Sequence, residues 1–245
     1  MAGWYSERKQ QLEASLASTI KNGNMVNNSN PWKILVRDWG LWLLQMIPTM
    51  KQWIELGPRM AGRMRYTYEP GMAFLAEMGG GALFSQSFCV RVDHSSDVGK
   101  EIFFTDDVIF REGKKSLFQI IVFLDDGMGQ RLIYQDAIRS LEYISPRLYP
   151  HEATFFVTNN AFTVESKANI ASKETYRFAS AAEFAASPLS NGRPYPHGYR
   201  EDDMHTGVNR KKFAIVRSDR FVFASCDTKM ELEVAAKRLN ELFPM

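Results

Sequence analysis

Only two cysteines, Cys89 and Cys226, occur in 245 residues. That is too few for a disulfide framework or a multi-cysteine metal centre. No apolar run is long enough to span a membrane, since the best candidate, Gly40 to Ile47, is bounded by Arg37, Asp38 and Pro48. The opening MAGWYSERKQ lacks the apolar core of a secretion signal, so the Asn27-Asn28-Ser29 triplet reads as an accidental glycosylation motif. Neither sign of charge dominates: 30 basic against 28 acidic side chains leave +2, which excludes the basic surplus needed to track a phosphate backbone and argues against a nucleic-acid partner. The histidines His94, His151, His197 and His205 are scattered, and no metal site is expected. Glycine clusters once, at Gly79-Gly80-Gly81, where dinucleotide-binding spacing fails because its last glycine would fall on Phe84. Phosphate-cradling loops, nucleophile elbows and zinc-binding His-Glu-x-x-His helices are also absent. The expectation is a cytoplasmic protein of a reducing compartment, soluble and without a bound cofactor.

What is present is an apolar and ring-rich chain, 45% hydrophobic and 13% aromatic. Such rings can line a pocket for a planar ligand or fill an ordinary core. The tryptophans gather in the first 53 residues, which marks a seam. Leu12, Leu16 and Ile20 predict a helix over Trp4 to Lys21, with Asn22-Gly23 as its stop. Pro31 opens a second, whose wide apolar face holds Trp32, Leu35, Val36, Trp39, Leu43, Met46 and Ile47. A short helix is predicted over Thr49 to Leu56, then extended chain from Arg63 to Leu75 turning at Pro70-Gly71.

Beyond residue 83 the pattern changes to strands and helices. Strands are predicted at Phe84 to Val92, Ser116 to Leu124 and Ala153 to Thr158, and helices at Arg131 to Ile144 and Ala168 to Ala186. A loop from Ser187 to Arg210 leads to strands at Lys211 to Val216 and Phe221 to Ser225. The last helix opens at a Thr228…Glu231 capping box. The order from residue 116 is βαβαββα, that of a thioredoxin-like fold. The chain thus reads as α/β, with a helical leader over 1–82 and a thioredoxin-like domain over 83–245. Redox chemistry on that fold needs a Cys-x-x-Cys at the start of the first helix. Here that stretch is Asp125-Asp126-Gly127-Met128-Gly129-Gln130, so thiol-disulfide exchange is excluded.

The densest polar constellation is Tyr199-Arg200-Glu201-Asp202-Asp203-Met204-His205. An imidazole held by a carboxylate suffices for proton transfer near neutral pH, which nominates His205 and Asp203 as catalytic.

The stretch from Tyr199 to Phe223 resembles the C-terminal region of flavin-dependent aromatic-ring hydroxylases of the phenol 2-monooxygenase type. In those proteins an acidic loop with a histidine precedes a hairpin, here Val216-Arg217-Ser218-Asp219-Arg220-Phe221-Val222, with Ser218 in place of the usual proline. Tyr5-Ser6-Glu7-Arg8 is similar to the motif closing the family's flavin domain, Arg65 to Leu75 to the segment after its connecting helices, and Thr105-Asp106-Asp107-Val108 has a counterpart too. The family's FAD motifs are missing, and no Gly-Asp pair occurs anywhere. The resemblance therefore implies linker helices and a dimer-forming thioredoxin-like domain without flavin, and none of the family's catalytic residues carries over.

Two functions follow as expectations. One is a free-standing relic that binds an aromatic or polyketide-like molecule through Trp39, Trp53, Arg65, Tyr66 and Tyr68 and converts it by isomerisation, cyclisation or dehydration. The other is a non-catalytic module pairing with a separately encoded flavin domain. A homodimer is expected either way, because the aromatic leader needs cover.

Overall fold

The computed structural model describes residues 2–47, 50–51, 64–92, 101–125, 127–158, 175–191 and 199–243. It divides into two compact units, Met1–Met72 and Ala73–Met245.

The first unit holds α1 (Ala2–Val26) and α2 (Pro31–Gln45). The α1 helix runs through Asn22-Gly23 instead of stopping there, since one helical glycine costs only ~1 kcal/mol. Pro31 begins α2 as expected, and the Asn30 side chain accepts hydrogen bonds from the Trp32 and Lys33 N–H groups at 3.0 and 3.4 Å. The Arg37 guanidinium donates to the Met25 and Val26 carbonyls, capping the end of α1 at 3.0 and 3.2 Å. Gln10 of α1 brackets Thr67, donating to its carbonyl and accepting from its N–H. At Gly3 a Cβ would fall 1.9 Å from the Gly71 carbonyl oxygen, so glycine is required where α1 meets the Pro70-Gly71 turn. The predicted faces of both helices are exposed rather than buried: Leu12, Leu16 and Ile20 on α1, and no buried residue on α2. Of the predicted helix over Thr49 to Leu56, all but Met50 and Lys51 lies outside the described residues.

The second unit is built on a mixed sheet of β1 (Phe88–Arg91), β2 (Ile102–Phe104), β3 (Phe118–Leu124), β4 (Thr154–Val157), β5 (Thr175–Phe178), β6 (Phe213–Arg217) and β7 (Val222–Cys226). Its order is β2-β1-β5-β4-β3-β6-β7. Strands β3, β4 and β5 are parallel, and the remaining pairings are antiparallel. Helices in this unit are α3 (Thr105–Ile109), α4 (Gly127–Arg139), α5 (Leu141–Ile144), α6 (Ala181–Ala186), α7 (Asp203–Gly207) and α8 (Lys229–Leu242). The β3-α4-β4 unit, followed by the antiparallel β6-β7 hairpin and α8, in the order β4-β3-β6-β7, is the thioredoxin-like arrangement.

All seven residues of β3 are buried, because it is central and covered on both faces. Alternation divides them. Phe118, Ile120, Val122 and Leu124 pack with Tyr134, Ala137 and Ile138 of α4 and Leu232, Ala236 and Leu239 of α8. Ile121 and Phe123 pack on the other side with Val108 and Ile109 of α3, Met204 of α7, and Val208.

Several expectations are corrected. Thr175–Phe178, predicted as helix, is strand β5, where β-branched and aromatic residues fit a pleated surface between β1 and β4. Residues 168–174 of that prediction lie outside the described residues, and of the described ones only Ala181–Ala186 is helical, started by a capping box in which the Ser180 hydroxyl accepts from the Glu183 N–H. Strand β2 was not foreseen. Helix α4 begins before Arg131, and Ile133, assigned to its buried side, is exposed. Residues 73–82, counted with the leader, belong to the second unit. There the Leu75 and Gly81 N–H groups donate to Phe223 and Val222 at 2.8 and 2.9 Å. Gly79 and Gly81 have φ +74° and +85°, and a Cβ on Gly80 would meet the Phe223 carbonyl oxygen at 2.4 Å. The glycine triplet is thus a turn pressed against β7.

Candidate functional site

Strands β3 and β4 run parallel and deliver their C-terminal ends, Leu124 and Val157, to one edge of the sheet. Beyond them stand Asp125 and Thr158. The Thr158 hydroxyl donates to Asp125 Oδ1 at 2.7 Å, and its N–H donates to the Leu124 carbonyl at 3.0 Å. On one side β3 meets β4, reached through α4, and on the other β6. Open α/β sheets bind ligands at such a reversal of strand order.

His205 approaches the same end from the opposite face. Met204 and His205 are the buried residues of α7. After that helix the Val208 and Arg210 N–H groups donate to the His205 carbonyl at 3.2 and 2.9 Å. Asn209 and Arg210 take left-handed φ values of +57° and +55°. This tight return brings Lys212 to where its carbonyl accepts from the Phe123 N–H at 2.9 Å. The His205 ring stacks on Phe123, with centroids 4.5 Å apart and planes at 26°.

The residue is 5% exposed, and its Nε2 is buried without a hydrogen-bond partner among the described residues. Burial pushes the imidazole pKa down, and the Arg210 charge adds to this. The Asp125 charge and backbone hydrogen bonds at Lys211 and Arg210 oppose it. The balance favours the neutral imidazole. An unmet polar atom of this kind costs about 1–3 kcal/mol.

Asp203 is half-buried on α7. Residues two apart on a helix do not face each other, and the carboxylate whose charge bears on His205 is Asp125. Asp203 thus gives way to Asp125 as the acidic neighbour. Asp125 and His205 are 80 positions apart in sequence, so only the fold could bring them near each other; the signal within reach was that Asp125 opens the polar stretch after β3. Neighbouring Asp202 is an organiser of the loop. Burial raises its pKa, but hydrogen bonds from Arg200 and Thr206 and the charges of Arg200 and Arg210 hold it below the usual value.

The leader residues are less concentrated. Trp39 meets Trp42 edge-on at 5.9 Å, both on α2 and both exposed. Tyr66 is buried, whereas Arg65 and Tyr68 are exposed in the segment that Gln10 brackets. Trp53, His94 and His197 lie outside the described residues. His151 is solvent-facing and stacks on Tyr149.

Two motifs far apart in sequence meet elsewhere on the second unit. Asp106 Oδ2 lies 3.0 Å from Arg220 Nε and accepts from Gln86 at 3.2 Å. Burial raises the Asp106 pKa, Arg220 opposes, and Asp107 adds to the rise. The left-handed residue of the hairpin turn is Arg220, φ +71°, and not Asp219, the residue suited to it in sequence. Asp219 instead grips Arg217 with both oxygens, at 3.1 and 2.6 Å.

Both cysteines are buried and free, Cys89 on β1 and Cys226 on β7, with four strands between them. Burial pushes the Cys226 thiol up to about 12 and the Cys89 thiol higher still, so neither is a nucleophile. Among the described residues no cluster of His, Cys, Asp and Glu could hold a metal ion, and no helix is long and apolar enough to cross a membrane.

The sheet order is that of a thioredoxin-like fold, and both cysteines stand away from this strand edge. No protein-family model matches the chain, and no curated protein does. Among solved structures it is similar to a Bacteroides vulgatus protein provisionally described as a thiol-disulfide oxidoreductase. The identity is 11% and the TM-score 0.33, over 67% of this chain and 99% of that one.

Proposed function

We propose that this chain binds an aromatic or polyketide-like small molecule at the β3–β4 end of its sheet and converts it by proton transfer through His205. The observation that carries this reading is the buried imidazole with its Nε2 unpaired among the described residues, stacked on Phe123. A neutral imidazole can take a proton from a carbon or hydroxyl beside a carbonyl. It can then return that proton at another atom, giving isomerisation or cyclisation, or hand it to a hydroxyl that leaves as water. None of these steps needs electrons from outside. The Asp125 charge favours the imidazolium formed on the way, and Phe123 fixes the ring. The resemblance to phenol 2-monooxygenase-type hydroxylases supports the substrate class.

The purified chain, without a partner, is expected to turn over members of an aromatic and polyketide-like panel, read by mass and chromatography. His205→Gln should lower the rate ~10²-fold while the fold survives. Equal rates for the two proteins overturn the proposal. A stability readout separates a merely structural role. Because the folded pKa is lowered from 6.5, the native state gains stability above that value and loses it as pH falls below it. His205→Gln should remove that slope. A second reading, a non-catalytic module for a separate flavin domain, is favoured by the exposed stripe of α2 and predicts no turnover by the chain alone.

A further inference from the structure

Trp32, Val36, Trp39 and Leu43 of α2 and its C-cap residue Met46 recur at spacings of four and three, the seam of a two-stranded helical pairing. Leu35 and Trp42 widen it. All seven are solvent-exposed, between 51% and 75%, while Ile34, Arg37, Leu41 and Leu44 on the other side of the helix are half-buried. The helix is therefore apolar on two sides, and only one has cover.

We infer that this stripe seats the same stripe of a second copy of the chain, forming a two-fold dimer across α2. Area is the first argument. Three indole rings of ~150–250 Å² each, with four aliphatic neighbours, present on the order of 800 Å² per copy, one side of a standard stable interface. The seam is the second, because an uninterrupted a/d pattern is complementary to itself and a two-fold contact joins identical patches. Lipid is the poorer occupant. Arg37 is engaged by Asp38 at 2.8 Å and by the α1 carbonyls, which leaves the helix little positive charge for an anionic surface.

Light scattering of the full chain at micromolar concentration is expected to give twice 28.0 kDa. Trp39→Asp and Val36→Asp should each weaken self-association at least 100-fold. The far-UV circular dichroism spectra of both variants should match the wild type, showing that the fold is intact, while their melts shift lower as the dimer is lost. A monomeric wild type overturns the inference, as does a dimer that survives both substitutions. Flotation with phosphatidylserine-containing vesicles that is lost on Trp39→Asp, from a monomeric wild type, assigns the stripe to a lipid surface instead.

Discussion

The two units handle apolar residues in opposite ways. In the second, β3 is sealed on both faces, and phenylalanines 74, 84, 123, 156, 213 and 223 are buried to within 2%. In the first, Leu12, Leu16 and Ile20 of α1 and the tryptophans of α2 face solvent. Periodicity marks a face that needs cover, but it does not name what covers it. In a strand the cover comes from neighbouring elements of the same sheet; a helix in a small unit can leave that role to another molecule.

The contrast breaks first at the core. Phe156→Ala should cost the second unit about 3–5 kcal/mol, the range for emptying a buried aromatic site. Leu16→Ala on α1 should change the first unit by ~0.5 kcal/mol or less. Because every tryptophan lies within the first 53 residues, tryptophan fluorescence reports the first unit, and near-ultraviolet tyrosine signals weight the second. Denaturant titrations read both ways will show whether the units unfold separately. A smaller loss, about 1–3 kcal/mol, is expected for Gly80→Ala. Its methyl would stand 2.4 Å from one backbone oxygen and 2.8 Å from that of Leu75, and neither can yield as a flexible side chain could. An unchanged melting temperature would show that the triplet turn moves freely.

The mildest effect should appear in acid. Glu183 takes two hydrogen bonds from Arg177 and one from the Ser180 N–H at 2.7 Å. Together these outweigh desolvation and hold its pKa near 2. Its folded pKa lies below the ordinary 4.5, so its stabilisation is complete above that value and is lost as pH falls from about 4.5 to about 2. Arg177→Ala should flatten that part of the stability curve, and a slope identical to wild type would remove this pair from the account.

The strand–helix order of residues 116–243 was legible where the signal is local. The β3 run is continuous, the β6-β7 hairpin turns on polar residues, and Thr228 does accept from Glu231 N–H at 3.2 Å. Strand β5 was not, because its residues sit beside an alanine-rich stretch whose helical propensity dominates any local window, while the pairing with β1 and β4 is long-range. The site was half legible. His205 stands out by residue type, but its ring partner Phe123 and its acidic neighbour Asp125 come from another strand end, and no spacing in sequence encodes that approach.

Glu152 offers a last consequence, in folding time. Its buried carboxylate accepts from the Lys115 and Ser116 N–H groups at 2.7 and 3.0 Å and from Gln119 at 3.3 Å, pinning the start of β3 beside the start of β4 across the whole α4 crossover. Parallel pairs form slowly because a long loop must close before any ladder bond rewards it. A carboxylate that grips two adjacent amides at the far end of that loop favours one register among several, so Glu152→Ala is expected to slow refolding, read by stopped-flow fluorescence, as well as to lower stability.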